Sequence, residues 1–407
     1  MKIIRADYIY IEGEYKRDYA IAFEDKIISI APYDKIIGEY PDIRAIEKIS
    51  NSVLYPGFIN THVHLEFSAN RTTLKYGSFL PWLESVISDR DHLINDCDTD
   101  MMRSACNEML SSGITTIGAI SSMGLDLEAY VASPQRVVYF NELVGSNPAS
   151  VDALYNDFMQ RFEASSMHSD DGIIAAIAIH SPYALHPIVL KKAIKFAKEN
   201  GIRLSAHFLE SSAEREWLES GDGDFKPFFN SIFKQQKPTM GIDEFLGKFD
   251  GYPTHFTHCV HAKEKELSKM AQEGHTIAHC PKSNRLLGCG RLDIERVGEF
   301  DIPYTIATDG LSSNNKLNIL DELRAAIMIH QDIDINTLAK DLIRSITKDA
   351  GRVLDLNIGE IREGYQADFA IIELPEAPKQ ESDIALWTIL HTDRAEEVYI
   401  GGERVAI

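Results

Sequence analysis

Five histidines, an aspartate and a glutamate carry the chemistry this sequence can offer. His62 and His64 stand one residue apart after the run Tyr55-Pro56-Gly57-Phe58-Ile59-Asn60-Thr61. In a β-strand, residues i and i+2 face the same way, so both imidazoles could reach one point in space. On its own, a His-x-His pair fits a solvated strand face or a packed pair equally well. Further along, His180, His207, His258 and Asp309 each close a short apolar run, and Glu210 follows His207 closely. A buried histidine held by one hydrogen bond is the ordinary explanation for any one of them. Their recurrence at the ends of successive runs asks for a common cause. Three neutral imidazoles and one carboxylate suit zinc or ferrous iron and leave a coordination position for water, as catalytic rather than structural sites do. His62, His64, His207 and Asp309 are therefore the expected ligands of one divalent ion, Zn2+ or Fe2+.

The elements that must bring these residues together read as strands alternating with helices. After the run that ends in His64, apolar runs recur at 114–120, 136–143, 173–180, 202–207, 253–259, 275–280 and 302–309. Helical patterns lie between them, for example at 186–200 and 262–273. This alternation predicts an α/β fold, a (β/α)8 TIM barrel, in which polar residues at the C-terminal strand ends converge on one site. Strand one then ends in His62 and His64, strand four in His180, strand five in His207, strand six in His258 and strand eight in Asp309. The segments after strands one and five are longer than a minimal barrel needs, and long loops of this kind cover the active face. Within the second of them, Phe225-Lys226-Pro227-Phe228-Phe229 reads as local helix packing or as a pocket lid. Short β-rich pieces at 3–11, 19–23 and 26–30, and again at 367–372 and 398–402, predict a small β-sandwich domain built from both termini. Residues 1–54 with 362–407 would form it, and 55–361 would be the barrel inserted between them.

Composition narrows the partners. Acidic residues number 62 against 41 basic ones, a net charge of −21 that repels phosphate backbones and anionic membranes. Neither nucleic acid nor a membrane is expected as a partner. No run approaches the roughly 18 to 20 apolar residues of a bilayer span. The start, Met1-Lys2-Ile3-Ile4-Arg5, does not lead into a signal-peptide apolar segment, and the 5 cysteines include no Cys-x-x-Cys pair. A cytoplasmic location is expected.

Five motifs in order carry a resemblance. They are the run from Pro56 to His64, His207-Phe208-Leu209-Glu210, His258-Cys259-Val260-His261, His279-Cys280-Pro281-Lys282-Ser283-Asn284, and Thr308-Asp309-Gly310-Leu311-Ser312-Ser313-Asn314-Asn315. The chain resembles the amidohydrolase superfamily, within it the mononuclear deaminase and chlorohydrolase group acting on purines, pterins and triazines. Residues 358–369 resemble the family's return into the terminal β domain. Some members hold two metals bridged by a carbamylated lysine at the end of strand four. Here Ile179-His180-Ser181-Pro182 stands there, so a single metal is expected.

The resemblance implies roles. Glu210 would protonate a ring nitrogen and later help transfer a proton to ammonia, Asp309 would accept the proton of the attacking water, and His258 would orient that water. His180 would contact the heterocycle; His261 is read equally well as a helix-start residue. Beyond the first ligand pair, His64-Leu65-Glu66-Phe67-Ser68 and the Gly77-x-Phe79-x-x-Trp82-Leu83 pattern resemble a bacterial branch, the aminofutalosine deaminases of menaquinone biosynthesis. These remove ammonia from the adenine ring of 6-amino-6-deoxyfutalosine. The implied partner is a small purine nucleoside, with Glu66, Phe67, Trp82, His180 and Ser313 as substrate contacts. Packing or loop capping would account for Glu66, Phe67 and Trp82 as well, and turn chemistry for Ser312, Ser313 and Asn314. Arg136 and Arg285 are candidates for a substrate carboxylate or for surface solvation. S-adenosylhomocysteine and methylthioadenosine deaminases commonly carry an acidic residue two positions before the tryptophan, where this chain has Leu80. A chlorotriazine-type hydrolase keeps the fold but changes the reaction, and the complete ligand set disfavours a non-enzymatic scaffold. The sequence leaves the oligomeric state open; a homodimer is what the resemblance suggests, since dimerisation is usual among relatives.

Overall fold

The computed structural model describes residues 1–46, 48–70 and 72–407. Its central sheet has eight strands, paired in chain order: Phe58–Val63, Ile114–Ser121, Arg136–Leu143, Ile173–Ile179, Leu204–Phe208, His255–His258, Thr276–His279 and Tyr304–Ile306. All neighbours are parallel. Parallel strands covered on both faces read as continuous apolar runs, and Ile114–Ser121 is buried at every position. The first and last strands meet through few contacts. The Asp309 N–H donates to the His62 carbonyl at 3.1 Å. Asn60 bridges the same gap, donating to Thr308 Oγ1 at 2.7 Å and accepting the Thr308 N–H at 3.1 Å. Deeper in the barrel the hydroxyls of Thr61 and Thr305 meet at 2.7 Å.

Strands six and eight are shorter than their apolar runs suggest. His258, Cys259 and Asp309 adopt positive φ angles of 71°, 51° and 57°, which take the backbone out of the β region just where the polar residues stand. Strand six ends at His258, and strand eight ends at Ile306, three residues before Asp309.

The terminal segments form two further sheets. Lys2–Arg5, Tyr19–Phe23 and Ile27–Pro32 make a three-stranded antiparallel sheet. The other sheet has six strands in the order Glu403–Val405, Glu397–Ile400, Phe369–Glu373, Ser52–Pro56, Tyr8–Ile11 and Glu14–Arg17. Ile4, Ile21, Phe23 and Ile27 from the first pack on Ile9, Leu54, Phe369, Ile371 and Tyr399 from the second, which makes the sandwich. The expected single piece at 3–11 is thus two strands belonging to different sheets.

Ser52–Pro56 pairs with Phe369–Glu373, so a boundary at 54/55 would fall inside a strand of the terminal sheet. The chain passes from that sheet into the barrel at Gly57, where a Cβ would lie 2.1 Å from Thr115 Oγ1. Only glycine fits. At the other end, Gly401 and Gly402 take φ of 55° and 77°, the two left-handed positions of a tight hairpin.

Two long segments crown the barrel. Helices Phe79–Asn95 and Thr99–Ser111 follow strand one; Ser212–Ser220, Phe225–Phe233 and Ile242–Gly247 follow strand five. Phe225, Phe228 and Phe229 are buried, and Phe229 stacks on Trp217 with ring centres 5.1 Å apart. Phe225 also meets Tyr183 after strand four and Phe79 after strand one. This aromatic group packs the crown together, so the packing reading of that stretch holds. Among the described residues no helix is long and apolar enough to cross a membrane.

Candidate active site

The strand ends converge as their spacing predicts. Nε2 of His64 and Nε2 of His207 lie 3.3 Å apart. Two nitrogens bonded at about 2.0–2.1 Å to one tetrahedral ion would stand roughly 3.3 Å apart, so this spacing suits a shared metal. Asp309 Oδ1 lies 3.8 Å from His62 Nε2 and 3.9 Å from His64 Nε2. His62 is fully buried, and its Nε2 has no hydrogen-bond partner among the described residues, while Nδ1 meets Thr257 Oγ1 at 3.1 Å. A buried imidazole with its outer nitrogen occupied and its inner one bare is a ligand in waiting. The donor set fits a divalent cation.

The carboxylate is held as firmly. Asp309 Oδ2 accepts the hydroxyls of Ser283 at 2.7 Å and Ser313 at 2.9 Å, and Oδ1 accepts the Gly310 N–H at 2.8 Å. Burial drives the His62 and His207 imidazoles well below their usual pKa, keeping them in the neutral form that ligates metals. Burial pulls the Asp309 carboxyl upward, but His62, His64, His258 and the Ser283 hydroxyl outweigh it and hold the group below its usual range.

Glu210 stands beside this cluster, buried, with Oε1 3.5 Å from His258 Nε2. Burial, then the charges of Asp309 and Glu214, push its carboxyl well above the ordinary range, which favours the protonated form more than in a surface glutamate. Its backbone is fixed by Glu214, which accepts the N–H groups of Leu209 at 3.1 Å and Glu210 at 2.8 Å. Leu209 itself is left-handed, φ 49°. The N-cap Ser211 accepts the Glu214 N–H at 3.1 Å, so the start of helix Ser212–Ser220 aims the catalytic candidate. His258 Nδ1 lies 3.0 Å from Asn284 Oδ1, which makes Nδ1 the protonated nitrogen and leaves Nε2 facing Glu210.

The same arrangement of strands recurs in known proteins. The amidohydrolase family model matches residues 53–405. The chain belongs to the amidohydrolase family. It is 45% identical over 403 residues to the aminodeoxyfutalosine deaminase of a Nitratiruptor species, covering 99% of both chains. It is 34% identical to an adenosine deaminase of Helicobacter pylori, again over 99% of each. Among solved structures, H. pylori aminofutalosine deaminase in complex with methylthio-coformycin superposes with a TM-score of 0.94 at 33% identity, covering 100% of both chains. The atrazine chlorohydrolase of Arthrobacter aurescens complexed with zinc shares the amidohydrolase fold, with a TM-score of 0.80 at 20% identity over 99% of this chain and 95% of that one.

Other residues of this amidohydrolase singled out by sequence divide into two groups. His180 joins the site: its ring centre lies 5.2 Å from that of His207, and Ser181 Oγ meets its Nδ1 at 2.9 Å. Phe67 is half-buried on the turn beyond the first ligand pair. Trp82 donates Nε1–H to the Ser312 carbonyl at 2.8 Å and packs on Phe79, tying the first helix to the loop that bears Asp309.

Two expected substrate contacts are engaged within the protein. Glu66 is buried, and its carboxylate accepts the backbone N–H groups of Ser122 at 2.8 Å, Met123 at 2.9 Å and Leu125 at 3.1 Å. It organises the loop after strand two, and both oxygens are already engaged. Ser313 is likewise buried and commits its hydroxyl to Asp309, so it steadies a candidate ligand. His261 Nε2 meets the Cys289 carbonyl at 2.8 Å, which favours a structural place. Arg136 begins strand three, at the N-terminal end of the barrel and away from the site, and is ion-paired with Asp368 just before the terminal strand Phe369–Glu373; Arg285 is exposed.

Sequence reasoning missed Glu142, Glu214, Ser283 and Asn284. The last two lie in a motif already quoted, and Ser211-x-x-Glu214 is a helix-start spacing. Glu142, fully buried on strand three, has its Oε1 3.4 Å from His207 Nδ1.

Proposed function

We propose that this protein is a metal-dependent hydrolytic deaminase that removes ammonia from the adenine ring of a nucleoside, with 6-amino-6-deoxyfutalosine as substrate and menaquinone biosynthesis as its setting. The observation that carries the reading is the buried Glu210 beside the histidine–aspartate cluster, its carboxyl pushed well above the ordinary range by burial. The full-length relationship to a protein named aminodeoxyfutalosine deaminase supports the choice of substrate. His62, His64, His207 and Asp309 would hold one Zn2+ or Fe2+, which when bound supplies an ionised nucleophile at neutral pH. The 5 cysteines, all free and buried, support a cytoplasmic location.

The chain's own residues would then move the protons. As water attacks the amino-bearing ring carbon, Asp309 takes one of its protons and Glu210 gives one to the adjacent ring nitrogen. The new C–O bond forms without charge building up on the ring. Asp309 next returns its proton to the amino group, the C–N bond breaks to release ammonia, and the hydroxyl proton passes to Glu210 as the carbonyl forms. Both carboxyls end as they began. His258, its tautomer set by Asn284, orients the attacking water, and His180 faces the heterocycle.

A panel of 6-amino-6-deoxyfutalosine, methylthioadenosine, S-adenosylhomocysteine and adenosine, followed by loss of adenine absorbance and by ammonia release, tests the substrate. The expected result is a kcat/KM for the first at least about tenfold above the others, worth about 1.4 kcal/mol of differential binding in the transition state. A preference for methylthioadenosine or S-adenosylhomocysteine would move the protein to that class.

A further inference from the structure

We propose that Glu142 is a positioning residue for His207. The inference rests on the ligand assignment above and adds a residue outside that set. Glu142 is fully buried near the end of strand three; the Arg161 guanidinium donates to its backbone carbonyl at 3.0 Å, and among the described residues no lysine or arginine forms an ion pair with its carboxylate. A buried carboxylate without a counter-charge is expensive, so its surroundings must supply donors or positive charge. Two neighbours do so. The Ser122 hydroxyl donates to Oε2. Oε1 lies 3.4 Å from Nδ1 of His207, an ion-pair distance outside hydrogen-bond geometry, and neither of these buried atoms has a hydrogen-bond partner among the described residues.

A ring nitrogen facing a carboxylate carries the proton, because two lone pairs would repel. Nδ1–H toward Glu142 leaves the Nε2 lone pair bare, and Nε2 is the atom that lies 3.3 Å from His64 Nε2. Glu142 therefore selects the ligating tautomer of His207 and fixes the ring plane, as carboxylates behind metal-bound histidines do.

The test measures metal retention without substrate, so an error in the substrate assignment leaves it untouched. Zinc-loaded wild type, Glu142→Gln and Glu142→Asp are each challenged with a chelator, and zinc per chain is followed. Glutamine keeps the volume and an acceptor oxygen but removes the charge; it should bind zinc about 10- to 100-fold more weakly. Aspartate, which keeps the charge, should recover part of that loss. Excess zinc should restore turnover to Glu142→Gln, which loss of a substrate contact would not permit. If the glutamine variant fails to fold, Ser122→Ala replaces it, with retention expected to fall severalfold. Wild-type retention in Glu142→Gln, or in Ser122→Ala as its substitute, would overturn the proposal while leaving the ligand set standing. A wild-type chain that takes up no zinc would sink the ligand set itself.

Discussion

Replacing Glu214 separates placing the acid from being the acid. In wild type its carboxylate accepts two buried backbone N–H groups, those of Leu209 and Glu210, and so holds Leu209 at a left-handed φ of 49°. Glu214→Gln can accept from one N–H but turns an amide donor toward the other. One buried donor left unpaired costs about 1–3 kcal/mol, and the strained leucine, worth about 1–2 kcal/mol, loses part of its restraint. Relaxation of that turn would displace Glu210, and a misplacement of about 1 Å costs roughly 10²-fold in rate. We expect kcat to fall by about that factor, KM to change less than threefold or so, and zinc content to stay at the wild-type value.

Urea unfolding supplies the second readout. Burial raises the Glu214 carboxyl from 4.5 to about 7 in the folded chain. A folded pKa above the unfolded one means that the unfolded state binds fewer protons between those values. The stability contribution of Glu214 is therefore full below about pH 4.5 and is lost as pH rises toward 7, up to roughly 3 kcal/mol. The difference between wild type and Glu214→Gln isolates this slope from other titrating groups. A variant with near-normal kcat and the same pH slope as wild type would refute the reasoning.

Three other outcomes follow from the site. Glu210→Gln should retain zinc and bind substrate with KM within a fewfold of wild type, yet lose about 10²- to 10⁴-fold in kcat; near-normal turnover removes its role as acid. Glu66→Ala strips the acceptor from three backbone N–H groups and should destabilise the chain by roughly 3–5 kcal/mol in urea, whereas a large rise in KM at unchanged stability would restore its reading as a ribose contact. Chelation should abolish turnover and lower Tm, and zinc or ferrous iron should restore both. An enzyme fully active after exhaustive chelation would contradict the ligand set.

The candidate ligand cluster was legible because its residues stand at or just beyond strand ends, where an apolar run stops at a polar side chain. His62 and His64 announce themselves by strand periodicity, and His207, His258 and Asp309 by position. What the sequence concealed has a physical cause in each case. Glu142 sits in a strand covered on both faces, so the usual alternation that marks an inward residue is absent. Glu66 and Ser313 lie within motifs that point at the site, but motif membership does not say where a side chain turns. Glu66 turns to backbone N–H groups and Ser313 to Asp309. The division of residues 3–11 between two sheets depends on a crossing at Ala6 and Asp7 that leaves no mark in hydropathy. Gly57 was visible as a turn residue, whereas its use as the passage between sheets depends on Thr115, distant in sequence.

The seam between the first and last strands has a consequence for folding. The Asp309–His62 backbone bond, the two Asn60–Thr308 bonds and the Thr61–Thr305 hydroxyl pair span it. The candidate ligands lie on its two sides, His62 and His64 on one and Asp309 on the other. An ion bound there would act as a cross-link joining distant parts of the chain. Closing so long a loop costs the unfolded chain considerable entropy, and each doubling of length adds only about 0.6 kcal/mol, so most of the gain comes from having the link at all. Evolution of the catalytic centre and of barrel closure would then be bound together: a substitution that loosens the ion also loosens the ring, and selection for turnover maintains the architecture as a by-product.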